Sequence, residues 1–344
     1  MIKTEVKNKI GIIYLDRPEA LNSLNCQMIE EIEDALKGFE KNPEIKAVLF
    51  DSEAERGFCA GGDLKEIYYD FLMDENRTKK DEFFKKEFNL NKYIMDYSKP
   101  IIAHWYGVTM GGGIGLTIHS DLIITDETVN WAMPETSLGF VPDVSVGYYI
   151  SKLDQALGQY VGLIGSRLYP EDLVRNKLAD ILIDSKDYNL ILDKLFSLDT
   201  SKDNFIEDFK KEIQIFAKIL GPTENADNMG KIEKYFGKDS LEEIVKVLEE
   251  NQEDDFAREK LSILRQRDPF MTQVQFEKYF LGKKLTRKET IDLDLKIINY
   301  GLNSGEIAEG IRTVMIDKED EPAWPVKYLS DVDKKEVENL LKIK

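Results

Sequence analysis

Cysteine and histidine are both scarce, each occurring only twice in 344 residues. Cys26 and Cys59 are too few for a disulfide framework and lack C-x-x-C spacing. With His104 and His119 as the only imidazoles, no Cys/His cluster of structural-zinc spacing exists. Long apolar runs are missing too. Ile101–Ala103 and Leu122–Ile124 fall far below the roughly 20 residues of a membrane span. The opening stretch MIKTEVKNKIGIIYLD alternates charged and apolar residues and carries no apolar core of the signal-peptide kind. Positive charge is in deficit, with 47 Lys and Arg against 65 Asp and Glu, for a formal net charge of −18. Such an acidic balance disfavours nucleic acid and anionic membrane as partners, because both attract basic surfaces. These absences predict a reduced, cytoplasmic protein without a metal centre. What is present, 42% hydrophobic and 33% charged residues, is globular composition, and the length suggests about two domains.

The first half alternates strand and helix signals. Ile10–Leu15 is rich in β-branched residues and stops at Asp16-Arg17-Pro18. Asn25 is placed to cap a helix whose apolar residues Ile29, Ile32, Leu36 and Phe39 recur every three or four positions. Ala47–Phe50 reads as a buried strand leading to Phe58-Cys59-Ala60-Gly61-Gly62-Asp63. A helix over 81–95 comes next, followed by strand-like Ile101–Ala103 and then Met110-Gly111-Gly112-Gly113. Strand-like Leu122–Thr125 and a loop over 131–143 complete this half. The pattern predicts an α/β layered fold with its site at the strand-to-helix turns. From about residue 186 the chain turns Lys/Glu/Leu-rich with helical spacing, as at Leu241, Ile244, Val245 and Leu248. The acidic runs 253–255 and 317–321 read as solvated faces or loop edges.

Chemistry concentrates in glycines and carboxylates. Glycine lets a ligand approach the main chain closely, and a helix start offers unpaired N–H groups. Ala60-Gly61-Gly62-Asp63 and Gly111-Gly112-Gly113-Ile114-Gly115 each lie between a strand-like run and a helix, so two such turns together could hold a developing oxyanion. Neither cluster fits the dinucleotide fingerprint G-x-G-x-x-G, since the sixth residue from Gly111 is Leu116 and from Gly113 is Ile118. No phosphate-binding G-x-x-x-x-G-K-[ST] occurs. Asp143-Val144-Ser145-Val146-Gly147 has aspartate where a nucleophile elbow requires glycine. Glu135 and Asp143 stand eight positions apart (143 − 135) among Trp131, Ala132, Leu138, Phe140 and Val141. Desolvation there should raise the pKa of at least one of them, the arrangement that general acid–base chemistry uses. Both histidines read as packing residues.

Taken together, Phe58–Asp63, Met110–Leu116, Met133-Pro134-Glu135-Thr136, Gly139 and Pro142-Asp143 resemble the enoyl-CoA hydratase/isomerase (crotonase) superfamily. Arg17-Pro18-Glu19-Ala20-Leu21-Asn22-Ser23-Leu24-Asn25 is similar to its opening motif. Glu309-Gly310-Ile311-Arg312 through Ile316-Asp317-Lys318, with Pro322 and Trp324, resembles the branch that hydrolyses 3-hydroxyisobutyryl-CoA. The resemblance implies a spiral of repeated ββα units over 1–194, followed by a mainly helical region over 195–344. It implies an oxyanion hole at the N–H groups of Gly62 and Gly112 and catalytic roles for Glu135 and Asp143. Substrate contacts would come from Glu87, Gly112, Glu135 and Asp143. Gly115 stands where hydratases carry a second catalytic glutamate, which disfavours hydration. Two departures from the family pattern are Tyr106, in place of His or Asn, and Ser145-Val146, in place of a glycine pair. The expected activity is hydrolysis of a short-chain 3-hydroxyacyl-CoA without a separate cofactor, the coenzyme being part of the substrate. An enoyl-CoA isomerase or hydratase and a non-catalytic acyl-CoA binder are the alternatives. Superfamily members often form trimers, but the longer C-terminus could instead fold over the site, so a homo-oligomer is one of two arrangements considered.

Overall fold

A computed structural model describes residues 1–72, 81–202, 204–318 and 321–343, with the side chains of residues 70 and 71 excepted. The expected acidic run 317–321 therefore lies partly outside the described residues. The chain forms two compact units, each built from three segments. The first comprises Met1–Gly62, Asn89–Trp131 and Leu168–Thr223, and the second Asp63–Phe88, Ala132–Arg167 and Glu224–Lys344. Composition changes from about residue 186, where the Lys/Glu/Leu-rich stretch begins. Packing instead assigns segments from the early chain to both units.

The first unit is organised by a six-stranded sheet. Its strands are β1 (Ile2–Lys7), β2 (Ile10–Leu15), β3 (Ala47–Ser52), β4 (Ile101–Trp105), β6 (Leu122–Asp126) and β8 (Ile181–Ile183), in the spatial order β1-β2-β3-β4-β6-β8. β1 pairs antiparallel with β2 across a tight turn at Asn8-Lys9, and every other neighbour is parallel. The parallel strands are near-continuous apolar runs, as expected of a sheet covered on its faces. Ile10, Ile12, Ala47, Leu49, Ile102, Leu122, Ile124, Ile181 and Ile183 form one core with Ile191, Leu195, Phe205, Ile206 and Phe209. β5 (Val108–Met110) and β7 (Asn130–Ala132) make a second, two-stranded sheet. The order β4, β5, helix Gly112–Gly115, then β6, β7, 3-10 turn Glu135–Leu138, is a strand–strand–helix unit used twice.

Asn25 caps the helix Cys26–Lys41 as its position predicts, its side chain accepting from the Met28 N–H, and Met28, Ile29, Ile32 and Leu36 are buried. Helices dominate the second unit. Helices Pro269–Gly282 and Arg287–Ser304 and the C-terminal helix Lys334–Leu341 share a core of Phe270, Met271, Val274, Leu293, Ile297, Val337, Leu340 and Leu341. Val141, two residues before Asp143, belongs to that same core. The loop bearing Asp143 is thus anchored by apolar packing. No helix among the described residues is long and apolar enough to cross a membrane, and no group of metal-ligating residues occurs among them.

Candidate active site

In the first unit the opening motif builds the first glycine turn. Asn22 is fully buried and adopts a left-handed backbone at φ 55°. Its side-chain amide donates to Ser52 Oγ at 2.7 Å and to the Phe58 carbonyl at 2.9 Å, while its Oδ1 accepts from the Arg17 N–H at 2.8 Å. Main-chain bonds Ala60 N to Leu21 O (3.0 Å) and Leu24 N to Gly61 O (2.7 Å) tie this motif to Gly61-Gly62. Asparagine tolerates the left-handed region better than most residues and here uses both its amide donors and its carbonyl oxygen.

The second glycine turn meets the first. Cys59 N donates to Val108 O and Met110 N to Cys59 O, both at 3.0 Å, so the two turns are laced edge to edge. Gly61 has φ +95°, and a Cβ there would meet Met110 O at 3.1 Å and Gly112 N at 3.2 Å. Only glycine satisfies both the conformation and this approach. Among the described residues, neither the Gly62 nor the Gly112 N–H donates to a backbone carbonyl. The two glycine turns thus lie side by side in the first unit. The helices behind them are shorter than expected: Leu64–Glu66 spans three residues and Gly112–Gly115 four. Helix dipoles that short contribute little, so any pull on an anion comes from the N–H groups themselves.

In the second unit three carboxyls are buried together. Glu87 lies on the helix Glu82–Met95 beside Phe83, Phe84 and Phe88, with Phe84 edge-on to Phe140 at 6.3 Å between ring centres. Glu135 opens the 3-10 turn Glu135–Leu138, which Gly139 ends in the left-handed conformation at φ +77°. Asp143 follows in the next loop. Glu87, Glu135 and Asp143 retain only 3%, 3% and 4% exposure. Glu87 Oε1 and Glu135 Oε2 have no hydrogen-bond partner. Burial, then the charge of Asp143, pushes Glu87 well above the usual carboxylate range. Burial, then Asp143, does the same to Glu135, with Lys278 acting in the opposite sense. Burial, then the charge of Asp294, raises Asp143 to about 8. Acids so placed cannot all ionise at neutral pH, so part of the set is held protonated there.

The sign of this arrangement gives a stability prediction. Asp143 has a folded pKa of about 8 against 3.8 for the free group. Folding therefore takes up a proton between those limits, and the stabilisation present below about pH 4 is lost as pH rises toward 8. Asp143→Asn removes this dependence and should gain roughly 0.5–2 kcal/mol near pH 8 relative to the parent. Urea titrations of both proteins at pH 5 and pH 8 measure it. A variant less stable than the parent by the same amount at both pH values would contradict the assignment.

The C-terminal signature packs against the Glu135 turn. A Cβ on Gly310 would lie 2.2 Å from the Leu138 carbonyl carbon, and one on Gly139 would lie 2.2 Å from Glu306 O. Glu309 holds the signature in shape, accepting from Arg312 Nε at 2.9 Å, Arg312 Nη2 at 2.8 Å and the Ala323 N–H at 2.6 Å. Arg312 also pairs with Asp317. Trp324 is half-buried, and its Nε1 donates to Gln266 O at 3.2 Å.

Ser145 is fully buried and its Oγ donates to Arg287 O, so it is engaged structurally. His104 is buried between Asp126, 3.1 Å from its Nε2, and the stacked ring of Tyr188 at 3.6 Å. Tyr106 Oη lies 2.9 and 2.8 Å from the carbonyl oxygens of Ser52 and Ala54, between which its single proton is shared. Sequence reasoning did not single out Lys278 and Asp294, because charged residues on helices normally face water. In this unit they form a buried ion pair.

The family model for enoyl-CoA hydratase/isomerase matches residues 10–341. This chain belongs to that family. It is 31% identical to the human protein named 3-hydroxyisobutyryl-CoA hydrolase, mitochondrial, over 98% of this chain and 87% of that one. The Xenopus laevis protein of the same name is 32% identical over 94% and 83%. Among solved structures, a carnitinyl-CoA dehydratase from Mycobacterium thermoresistibile superposes with a TM-score of 0.85 at 25% identity, covering 100% of this chain and 96% of its own. An enoyl-CoA hydratase from Rhodobacter sphaeroides gives 0.84 at 30% identity over 99% and 96%. The crotonase-type α/β fold and the long helical C-terminus are therefore family features of this chain.

Proposed function

We propose that this protein hydrolyses a short-chain 3-hydroxyacyl-CoA thioester, 3-hydroxyisobutyryl-CoA first among them, to the free acid and coenzyme A. The observation that carries the reading is the buried set Glu87, Glu135 and Asp143, with glycine at position 115. A hydratase needs a second glutamate where Gly115 stands, whereas hydrolysis needs one base and a means of holding the hydroxyacyl group. The names of relatives matched over nearly the full length support the same reading.

The N–H groups of Gly62 and Gly112 receive the thioester oxygen as negative charge develops on it; one such donor is typically worth about 2.7–4 kcal/mol in the transition state. Ionised Glu135 takes a proton from water, the water oxygen bonds to the acyl carbon, and the carbon–sulfur bond breaks. The departing thiolate then picks up a proton, for which a protonated neighbour in the carboxyl set is suited. Glu135 could alternatively attack the acyl carbon itself, giving an anhydride that water opens. Label entering the Glu135 carboxyl during turnover in ¹⁸O-water marks an anhydride opened at the glutamyl carbon, which direct attack of water on the thioester does not form. Asp143, beside Glu87, binds the 3-hydroxyl, and while it is protonated it spares Glu135 the neighbouring charge that opposes its ionisation.

Asp143→Gly tests the hydrolase assignment, because it restores the residue usual in hydratases. Its rate of thiol release from 3-hydroxyisobutyryl-CoA should fall by about 10²-fold or more. Parental turnover in that variant would make Asp143 a bystander. The rival reading, an enoyl-CoA isomerase working with Glu135 alone, predicts unchanged conversion of a 3-enoyl-CoA by the same variant.

A further inference from the structure

The loop that carries Asp143 is gripped from both sides by one buried ion pair. Lys278, on the helix Pro269–Gly282, places Nζ 2.5 Å from Asp294 Oδ1 on the helix Arg287–Ser304, and both side chains are almost wholly inaccessible, at 3% and 0%. The same Nζ donates to the Pro142 carbonyl, the residue before Asp143. Asp294 Oδ2 accepts from the Ser145 N–H at 2.9 Å, two residues after Asp143. Between these holds, Val144 and Ser145 are both left-handed, at φ 45° and 66°. For a β-branched valine that conformation is costly and persists only where the surroundings impose it. Ser145 Oγ adds a third tie, to Arg287 O at 3.1 Å. Gly147 makes room for the arrangement, since a Cβ there would stand 2.7 Å from Lys278 Nζ.

We propose that Lys278 and Asp294 form a positioning clamp for Asp143, the lysine fixing the backbone before it and the aspartate the backbone after it. The proposal rests on the hydrolase reading above. A pair that served stability alone would not need to spend both partners on the two flanks of one residue. Neutral replacement of a buried pair is often tolerated by the fold, so its presence here is better explained by what it holds. The charges facing Asp143 are those of Glu87, Glu135, Lys278 and Asp294. Lys278 favours the ionised form of Asp143 and Asp294 opposes it.

The experiment uses the full chain and thiol release from 3-hydroxyisobutyryl-CoA, with kcat, KM and the pH profile recorded for Lys278→Met, Asp294→Asn and the double variant. The expected result is a roughly 10- to 100-fold loss in kcat for all three with KM changed less than about threefold, as for a displaced catalytic group. The acid limb of the profile should move to higher pH in Lys278→Met and in the double variant, because Lys278 favours the ionised forms of Glu135 and Asp143. A loss of kcat with KM held and the fold intact is something a structural role alone does not produce. Where a single variant does not fold, the electroneutral double variant decides. A double variant that folds with parental kcat and an unmoved acid limb overturns the clamp, and so does one that cannot fold, because the pair's role is then structural alone. A parental protein that releases no thiol contradicts the hydrolase reading instead, leaving the two failures distinguishable.

Discussion

Glu135→Gln is expected to lower thioester turnover by about 10²–10⁴-fold while acyl-CoA binding stays within a few-fold of the parent. Glutamine keeps the shape of the side chain and can still hydrogen bond, but it cannot accept a proton from water or form an anhydride. The position is 3% exposed, its Oε2 is unpartnered, and burial with the neighbouring Asp143 charge already disfavours the carboxylate. Replacing that carboxyl with a neutral amide relieves the cost of burial, so the variant should melt no lower than the parent. Loss of activity together with retained stability and binding is the signature of a group whose ionisation serves the reaction. Thiol release, calorimetric binding of acyl-CoA and thermal denaturation measure the three quantities. Turnover within threefold of the parent would remove Glu135 from the mechanism.

Gly310→Ala should have the second largest effect, although residue 310 is far in sequence from every proposed catalytic group. Its missing side chain is what lets the helix Glu306–Ile311 lie directly on the turn Glu135–Leu138. A methyl group there would stand 2.2 Å from the Leu138 carbonyl carbon and 2.4 Å from its oxygen, both backbone atoms with no flexible end to swing aside. Either the helix or the turn must move. Overpacking of this kind costs roughly 1–3 kcal/mol, and displacement of the Glu135 turn adds a loss of kcat. Gly221→Ala is the control, since a Cβ at that position meets nothing within 4 Å. A lowered melting temperature and lowered kcat in Gly310→Ala, with neither in Gly221→Ala, is the expected pair of results. Parental stability in Gly310→Ala would show that the signature does not brace the Glu135 turn.

The sheet strands β2, β3, β4 and β6 are legible in sequence because each carries a short apolar run, rich in β-branched residues in β2. β1 is not, since its residues after Ile2 are exposed and an edge strand of alternating charge lacks an apolar pattern. β5, β7 and β8 have three residues each, too few for any periodicity to register. Glu135 and Asp143 could be picked out by chemistry, as acids among apolar neighbours. Glu87 could not, because Lys85-Lys86-Glu87 reads as the solvated face of a helix, and only the family resemblance marked it. The interleaving of the two units was invisible for a related reason: composition records what a segment is made of and not what it packs on. Lys278 and Asp294 show the same limit, as nothing in sequence tells a buried charged pair on two helices from an exposed one.

The most direct test of the hydrolase assignment is a side-by-side assay of the purified full chain with 3-hydroxyisobutyryl-CoA and with a short 2-enoyl-CoA. Free thiol release reports hydrolysis, and loss of the enoyl absorbance reports hydration. With Gly115 in place of a second glutamate and Asp143 buried beside Glu135, thiol should appear from the hydroxyacyl substrate while the enoyl absorbance holds steady. Loss of enoyl absorbance without thiol release would contradict it.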